Sequence, residues 1–210
     1  MNAKQILVQL PENLREKVVT NAGLILSDFD PTKPLDAEAI RASILFATTG
    51  GVKNSCTYNY VDFGADIDGC PKNTAEMMEF ESAEAKMEGT ALSVTAAGIK
   101  TMFGAADVTA NDSLHEITPR AGLKYGNGGD FATIWHVMPY GTQGGFVAFK
   151  LYNALNTGGF NLQTTDAEKG KFSFSFSGCA SIDNPSEIPF KVYVRESTSA
   201  ATTNVNPVAE

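Results

Sequence analysis

His115 and His136 are the only two histidines of the chain, and they are the first residues to consider for metal or acid–base chemistry. His115-Glu116 begins the string with which metalloproteases hold zinc, but Pro119 occupies the position of the second histidine. The two histidines lie 21 positions apart, and no paired cysteines stand near them. The sequence therefore predicts no zinc site, and it favours a half-buried His136 packed beside Trp135 in an alternating strand.

A calcium loop is the second candidate site. The run Asp-Ile-Asp-Gly at 66–69 begins like such a loop, because its alternating aspartates could supply carboxylate oxygens to Ca²⁺. Cys70 then occupies the next ligand position, and Pro71 stands where the loop requires glycine. We interpret the aspartates as turn residues, with adventitious calcium at Asp66 and Asp68 left as the alternative.

The sequence gives little indication of catalysis by a nucleophile or by paired carboxylates. A Ser or Cys nucleophile would have to recruit one of the two histidines as its base, and the chain has no Gly-x-Ser-x-Gly elbow. Glu79 with Glu81, or Glu84 with Glu88, could serve as glycosidase acids, but their alternation along a strand is typical of a solvated face. We therefore predict that the chain is not an enzyme and needs no cofactor.

The composition excludes several functional classes. The 210 residues include 24 acidic and 16 basic ones, giving a formal net charge of −8, and the basic residues are scattered singly. This distribution disfavours tight binding to nucleic acid or to an anionic membrane. No apolar run approaches the ~18 residues that cross a bilayer. Three cysteines and no signal-peptide pattern indicate reduced thiols in a cytosol.

The hydrophobic patterning predicts a mainly β fold. In the stretch 172–176, phenylalanines alternate with serines, which is typical of a strand with one buried face. The alternation within 79–94 changes phase, and this change predicts a β-bulge near Ser82. One amphipathic helix is predicted at about 96–106, with Thr95 as its N-cap.

Three segments fall outside this pattern of strands. Residues 1–20 are expected to form an N-terminal arm or short helix, and residues 197–210 a polar C-terminal tail. Residues 54–74 are rich in Asp, Gly and Asn and have no period, which predicts a loop of unusual length within the domain 21–196. A β domain with such extensions and no catalytic site suits a subunit that assembles through its strand edges.

Several short strings, in their order along the chain, resemble the major tail tube proteins of long-tailed bacteriophages with non-contractile tails. They include Asn-Ala-Gly-Leu at 21–24, Ile-Leu-Phe-Ala-Thr-Thr-Gly-Gly-Val at 44–52, Asp-Phe-Gly at 62–64, Asp-Gly-Cys-Pro-Lys-Asn-Thr at 68–74, Leu-Tyr-Asn-Ala-Leu-Asn-Thr-Gly-Gly-Phe at 151–160 and Ile-Pro-Phe-Lys-Val-Tyr-Val at 188–194. The resemblance spans residues 21–195.

The resemblance implies a β-sandwich or partly closed barrel with one flanking α-helix, a long inter-strand loop and extended termini. It also implies that six copies form a ring whose inner sheets line a channel, and that rings stack into a tube. In such a tube the long loop and the terminal arms contact the neighbouring ring. By position, the ring-stacking loop residues are Asp62, Phe63, Asp66, Asp68 and Pro71, and the terminal arm contacts are Leu14, Val18 and Val205.

The implied partners are other copies of the chain and other phage tail proteins, namely the tape measure, tail terminator and distal tail proteins. The implied location is the virion, after assembly in the cytoplasm of the bacterial host, with no membrane partner. DNA would pass without tight binding, because a basic wall would hold it by counterion release whereas an acidic wall lets it slide. We therefore predict that the channel is lined by Glu79, Glu81, Glu84 and Glu88.

Two alternatives remain open on the sequence. The same architecture would serve as the tube subunit of a contractile injection apparatus. A carbohydrate-binding β-sandwich module would instead use Trp135, Tyr140 or Tyr152 as a stacking platform for a sugar ring. Only the assembly functions predict rings or tubes, and only the carbohydrate module predicts quenching of the single tryptophan by a sugar.

Overall fold

The computed structural model describes residues 14–126, 128–142 and 144–196. The strands are β1 (Leu24–Leu26), β2 (Ile44–Asp62), β3 (Met78–Val94), β4 (Ala106–Asn111), β5 (Leu114–Pro119), β6 (Ala132–Tyr140), β7 (Gly145–Asn156), β8 (Asn161–Gln163), β9 (Lys171–Gly178) and β10 (Phe190–Arg195). The helices are α1 (Ala37–Ser43) and α2 (Ala96–Phe103), with 3₁₀ turns at Leu14–Glu16 and Ala75–Met77. The predicted mainly β fold is confirmed. Neither α-helix is long or apolar enough to cross a membrane.

Eight strands form one antiparallel sheet in the order β10-β7-β6-β1-β2-β3-β9-β8. β7 also pairs with β9, so the six strands from β7 to β9 close on themselves as a partial barrel, while β4 and β5 form a separate hairpin. The closure occurs at Asn153, whose φ of 44° lies in the left-handed region that asparagine tolerates. Before this residue β7 pairs with β10, and after it with β9.

The interior of the barrel is filled by side chains from alternate positions of its strands. Phe174 and Phe176 of β9 point inward, and their ring centroids lie 5.0 and 6.3 Å from that of Phe46 on β2. Ser173, Ser175 and Ser177, which alternate with the phenylalanines, face outward, as the alternating pattern predicts. Removing three phenylalanine rings from water contributes about 2 kcal/mol or more per ring, so this cluster stabilises the closed barrel.

Helix α2 packs against one side of the barrel. The Thr95 hydroxyl accepts a hydrogen bond from the Gly98 backbone N–H at 3.0 Å, which confirms the predicted N-cap. Met102 reaches the interior cluster and is 1% exposed. The helix ends at Phe103, three residues before the predicted end, because Gly104 adopts a φ of 77° and Ala106 begins β4.

A second apolar cluster lies on the outer face of the sheet. Trp135 of β6 packs there against Phe29 and Phe146, at centroid distances of 5.6 Å from Phe29 to Trp135 and 5.2 Å from Phe29 to Phe146. Helix α1, which the sequence analysis does not predict, covers this cluster with Ile40. The helix is short, and its N-cap Asp36 accepts a hydrogen bond from the Glu38 N–H at 2.9 Å.

His136 is a buried structural residue, 1% exposed, inside the sheet. Its Nε2 lies 2.6 Å from the Ala22 carbonyl oxygen, which can only accept, so Nε2 carries the hydrogen. Its Nδ1 then accepts from the Asn54 side-chain amide at 2.8 Å. Burial lowers the pKa of His136 below its ordinary value, and the hydrogen bond to Ala22 offsets only part of that effect.

We expect the free energy of unfolding to fall as the pH drops below about 6.5. His136 then binds a proton in the unfolded chain but stays neutral in the folded protein. For one proton, the free energy of unfolding changes by at most about 1.4 kcal/mol per pH unit. Denaturant unfolding between pH 7.5 and 5 measures it. His136→Gln should flatten the profile and His115→Gln, at the exposed histidine, should leave it unchanged; equal profiles for all three proteins would contradict the assignment.

Candidate functional site

Strands β2 and β3 continue beyond the barrel as a two-stranded ribbon. β3 pairs with β9 only from Lys86 to Ala91, and β2 pairs with β1 only near its start. Residues 57–62 and 78–84 therefore pair with one another alone among the described residues. At about 3.3 Å per residue, this ribbon extends about 20 Å from the barrel. We refer to residues 57–84, the ribbon with its connecting loop, as the arm.

The arm corrects the predicted loop at 54–74. Residues 54–62 belong to β2, and the connection between the strands begins at Phe63. Tyr58, Tyr60 and Val61 are strong strand formers, and the sequence analysis gave more weight to the asparagines and aspartates around them. The long loop is therefore shorter than predicted and lies at the end of a projecting two-stranded ribbon.

The predicted bulge near Ser82 is confirmed, and it shapes the arm. Asn59 pairs with Ser82 whereas Tyr60 pairs with Phe80, so Glu81 is the extra residue of β3. The bulge places Phe80 on the same face of the ribbon as Tyr58 and Tyr60. Without it, the alternation of β3 would turn Phe80 to the opposite face.

Three aromatic rings cover one face of the ribbon. The centroids of Tyr58, Tyr60 and Phe80 lie 6.3 to 6.4 Å apart, and the side chains remain 48%, 56% and 52% exposed. An isolated two-stranded ribbon is only marginally stable in water. A contiguous exposed aromatic cluster on such a ribbon is typical of a surface that contacts another protein.

The loop at the end of the arm is closed by Asp62. Its carboxylate accepts hydrogen bonds from the backbone N–H groups of Gly64 at 3.0 Å and Asn73 at 2.8 Å. Among the predicted loop residues, Asp62 therefore holds the loop in shape. The structure leaves the others exposed on the loop, with Phe63 65% exposed, and these are Phe63, Asp66, Asp68 and Pro71.

Asp66 and Asp68 lie in consecutive turns. These turns are held by backbone hydrogen bonds from Ile67 N–H to the Gly64 carbonyl at 3.2 Å and from Cys70 N–H to the Ile67 carbonyl at 3.1 Å. Across the residues that the structure describes, no group of three or more His, Cys, Asp or Glu side chains is placed to hold a metal ion. The two aspartates act as turn residues here.

The four glutamates predicted to line a channel divide into two pairs. Glu79 and Glu81 are exposed on the ribbon. Glu84 lies 2.5 Å from the ammonium of Lys86, and its hydrogen bond raises the pKa of that lysine. Glu88 lies 3.6 Å from the ammonium of Lys53 and accepts a hydrogen bond from Ser175. The uncompensated negative charge therefore lies toward the end of the arm.

The arm carries most of the net charge of the protein. It holds seven of the 24 acidic residues and one of the 16 basic residues, so its formal charge is −6 out of −8 for the whole chain. Crowding like charges on a projecting ribbon is unfavourable by itself. A basic surface in contact with the arm would relieve that repulsion.

The predicted terminal contacts are placed as follows. Leu14 and Val18 are each 39% exposed, and the Val18 carbonyl accepts a hydrogen bond from the Gly141 N–H at 3.0 Å. The chain before β1 is thereby tied to the turn between β6 and β7. Val205 lies outside the described residues.

The remaining surfaces offer little chemistry. A groove of about 530 Å³ between α1, β1 and the β6–β7 turn is lined by apolar side chains, glycines, Asn21 and Thr142, with no titratable side chain. Trp135, one of the proposed sugar platforms, is 3% exposed. The ammonium of Lys150 lies 4.3 Å from the centroid of the Tyr152 ring and covers it. These two rings do not form an open stacking platform, and Tyr140 is half-buried.

The arm is thus the most distinctive candidate site, and the sequence pattern that reveals it is the polar and aromatic alternation at 57–61. It combines exposed aromatic rings, negative charge and unpaired strand edges in one projecting element. No protein-family model matches the chain, and no curated protein matches it significantly.

Proposed function

We propose that the protein is a non-enzymatic structural subunit that polymerises as stacked hexameric rings into the tail tube of a long-tailed bacteriophage with a non-contractile tail. The observation that carries the proposal is the arm, whose aromatic face is half exposed and whose strands pair only with each other among the residues that the structure describes. A projecting ribbon of this kind suits contact with another copy. Contacts between unlike surfaces of identical copies build rings or filaments.

The resemblance to tail tube proteins supplies the finer part of the proposal. Six copies would surround a channel through which DNA is ejected into the host. The loop residues Asp62, Phe63, Asp66, Asp68 and Pro71 would contact the next ring. The acidic net charge suits a channel wall that does not retain DNA. Tape measure, tail terminator and distal tail proteins would be the other partners in the virion.

Electron microscopy of the purified protein over a concentration series tests this function. We expect rings or hollow tubes of uniform width. Replacing residues 64–76 by Asn-Gly, which makes a tight hairpin turn between the paired residues Phe63 and Met77, should give single rings with few or no tubes, because the ribbon is kept and the stacking loop is lost. Monomers alone at every concentration, even with the other tail proteins added, would contradict the proposal.

A further inference from the structure

β10 is the last strand at one end of the sheet that the described residues form. The Tyr152 N–H donates to the Pro189 carbonyl at 3.0 Å, and the register of β10 on β7 continues from that pair. Antiparallel strands alternate hydrogen-bonded and non-hydrogen-bonded pairs. The N–H and C=O groups of Val192 and Val194 therefore point away from β7, and no described strand pairs with them.

This edge lacks the devices that usually protect an edge strand. Val192 and Val194 are 48% and 56% exposed, and β10 contains neither proline nor a bulge. Its two charged side chains lie on the opposite face, where Lys191 pairs with Glu187 at 2.7 Å and Arg195 donates to the Pro31 carbonyl at 2.5 Å. An exposed, aliphatic edge of this kind readily accepts a strand from another chain.

The ribbon also offers free strand edges. The Phe63 N–H donates to the Met77 carbonyl at 2.9 Å, and counting back along the register makes Tyr60 and Phe80 a non-hydrogen-bonded pair. Their N–H and C=O groups therefore point outward from the ribbon. Within the described parts of the chain, nothing pairs with the outer edge of β3 at Phe80.

The two edges are complementary on both faces. The ribbon has an aromatic face, with Tyr60 and Phe80, and an acidic face that includes Glu79 and Glu84. β10 has an aliphatic face and a basic face. β7 and β10 together contain three basic residues and no acidic one, namely Lys150, Lys191 and Arg195, of which Lys191 also pairs with Glu187, against the charge of −6 on the arm. Pairing the two edges would therefore place apolar side chains of the ribbon beside apolar side chains of β10, and acidic side chains beside basic ones.

We propose that the ribbon of one copy adds to the β10 edge of its neighbour in the ring, extending the sheet from one subunit into the next. This inference rests on the proposed self-assembly and names its lateral contact, whereas the loop at the end of the arm serves the contact between rings. The donor ribbon and the acceptor edge are different surfaces. Every copy that is added therefore leaves one unoccupied surface, to which a further copy can bind.

Val192→Pro tests the acceptor edge. Proline removes only the outward N–H at this position, so the ladder to β7 stays intact, whereas Val192→Thr keeps the N–H and the branched shape. We expect Val192→Pro to show no rings at concentrations at least tenfold above those at which the wild type and Val192→Thr assemble. Val192→Lys, which places a charge on the same edge, is the second variant should the proline variant not fold.

A mixing experiment identifies the two surfaces as partners. The Val192→Pro copy keeps its ribbon, and a Tyr60→Ser/Phe80→Ser copy keeps its β10 edge, so neither polymerises alone. Their mixture should give a one-to-one heterodimer in sedimentation velocity and nothing larger. Ring formation by Val192→Pro and Val192→Lys, or no heterodimer, overturns this inference while leaving the proposed function in place. A wild type that never assembles overturns both.

Discussion

A variant with Tyr60 and Phe80 both replaced by serine is expected to lose ring and tube formation while keeping its fold. The aromatic side chains of Tyr60 and Phe80 belong to neither apolar cluster of the barrel, and each is about half exposed. The melting temperature should therefore move by no more than about 3 °C, because the variant loses mainly contacts within the ribbon. Electron microscopy and thermal unfolding of the same preparation measure both effects.

The size of the effect follows from the area that remains to be buried. A half-exposed aromatic side chain offers about 100 Å², which at about 25 cal/mol per Å² gives about 2.5 kcal/mol for each ring that docks. The two aromatic side chains together contribute about 5 kcal/mol. Losing this contribution raises the concentration needed for assembly roughly a thousandfold or more. Few other pairs of surface residues offer so much unburied aromatic area.

Leu114→Ser is the matched control. Leu114 is 69% exposed at the end of the β4–β5 hairpin, outside the arm. The substitution removes exposed apolar area, as the double variant does, but outside the arm. We therefore expect Leu114→Ser to assemble normally. Normal assembly of the aromatic double variant as well would show that the arm is not the contact surface.

The sequence predicted the local features that depend on neighbouring residues. The alternation of phenylalanine and serine at 172–176 marks a buried face directly, and Thr95 satisfies the backbone of the helix that follows it. The bulge near Ser82 was also predictable, because a phase change in the alternation is visible along one strand. Each of these features is encoded within fewer than ten residues.

The features that depend on distant residues were not predictable in the same way. Closure of the barrel requires β7 to change partner at Asn153, and nothing near this residue specifies β9 as the new partner. Helix α1 has only seven residues and no buried one of its own, so its apolar periodicity is weak. The ribbon is predicted as a loop because the polar residues on one of its faces are of the types that occur in turns.

The ring-stacking role of the predicted loop residues stays a prediction, and the structure shows where those residues lie. Phe63, Asp66 and Asp68 are exposed on the arm, which fits the stacking role proposed for them. Asp62 also closes the loop. The aromatic face was missed, since recognising Tyr58 and Phe80 as neighbours requires the strand register and the bulge.

Asp130 organises the segment between β5 and β6. Its side chain is 1% exposed and accepts hydrogen bonds from Arg120 Nη2 at 2.7 and 2.9 Å and from the Lys124 N–H at 2.7 Å. Burial acts to raise the pKa of Asp130, but the hydrogen bonds from Lys124 and Arg120 outweigh it and hold the pKa below its usual value. The carboxylate is therefore charged and paired at neutral pH.

Asp130→Ala is expected to destabilise the monomer by about 3 kcal/mol, because it removes the buried acceptor of Arg120 Nη2 and of the Lys124 N–H. For a chain of this size the melting temperature should fall by about 6–12 °C. Asp107→Ala is the matched control, since Asp107 contacts the same two residues, the Arg120 guanidinium at 3.1 Å and the Lys124 ammonium at 2.6 Å, but its side chain is 50% exposed. We expect it to lower the melting temperature by less than about 2 °C, because an exposed ion pair is screened by water. Equal effects of the two substitutions would show that burial does not decide the contribution of Asp130.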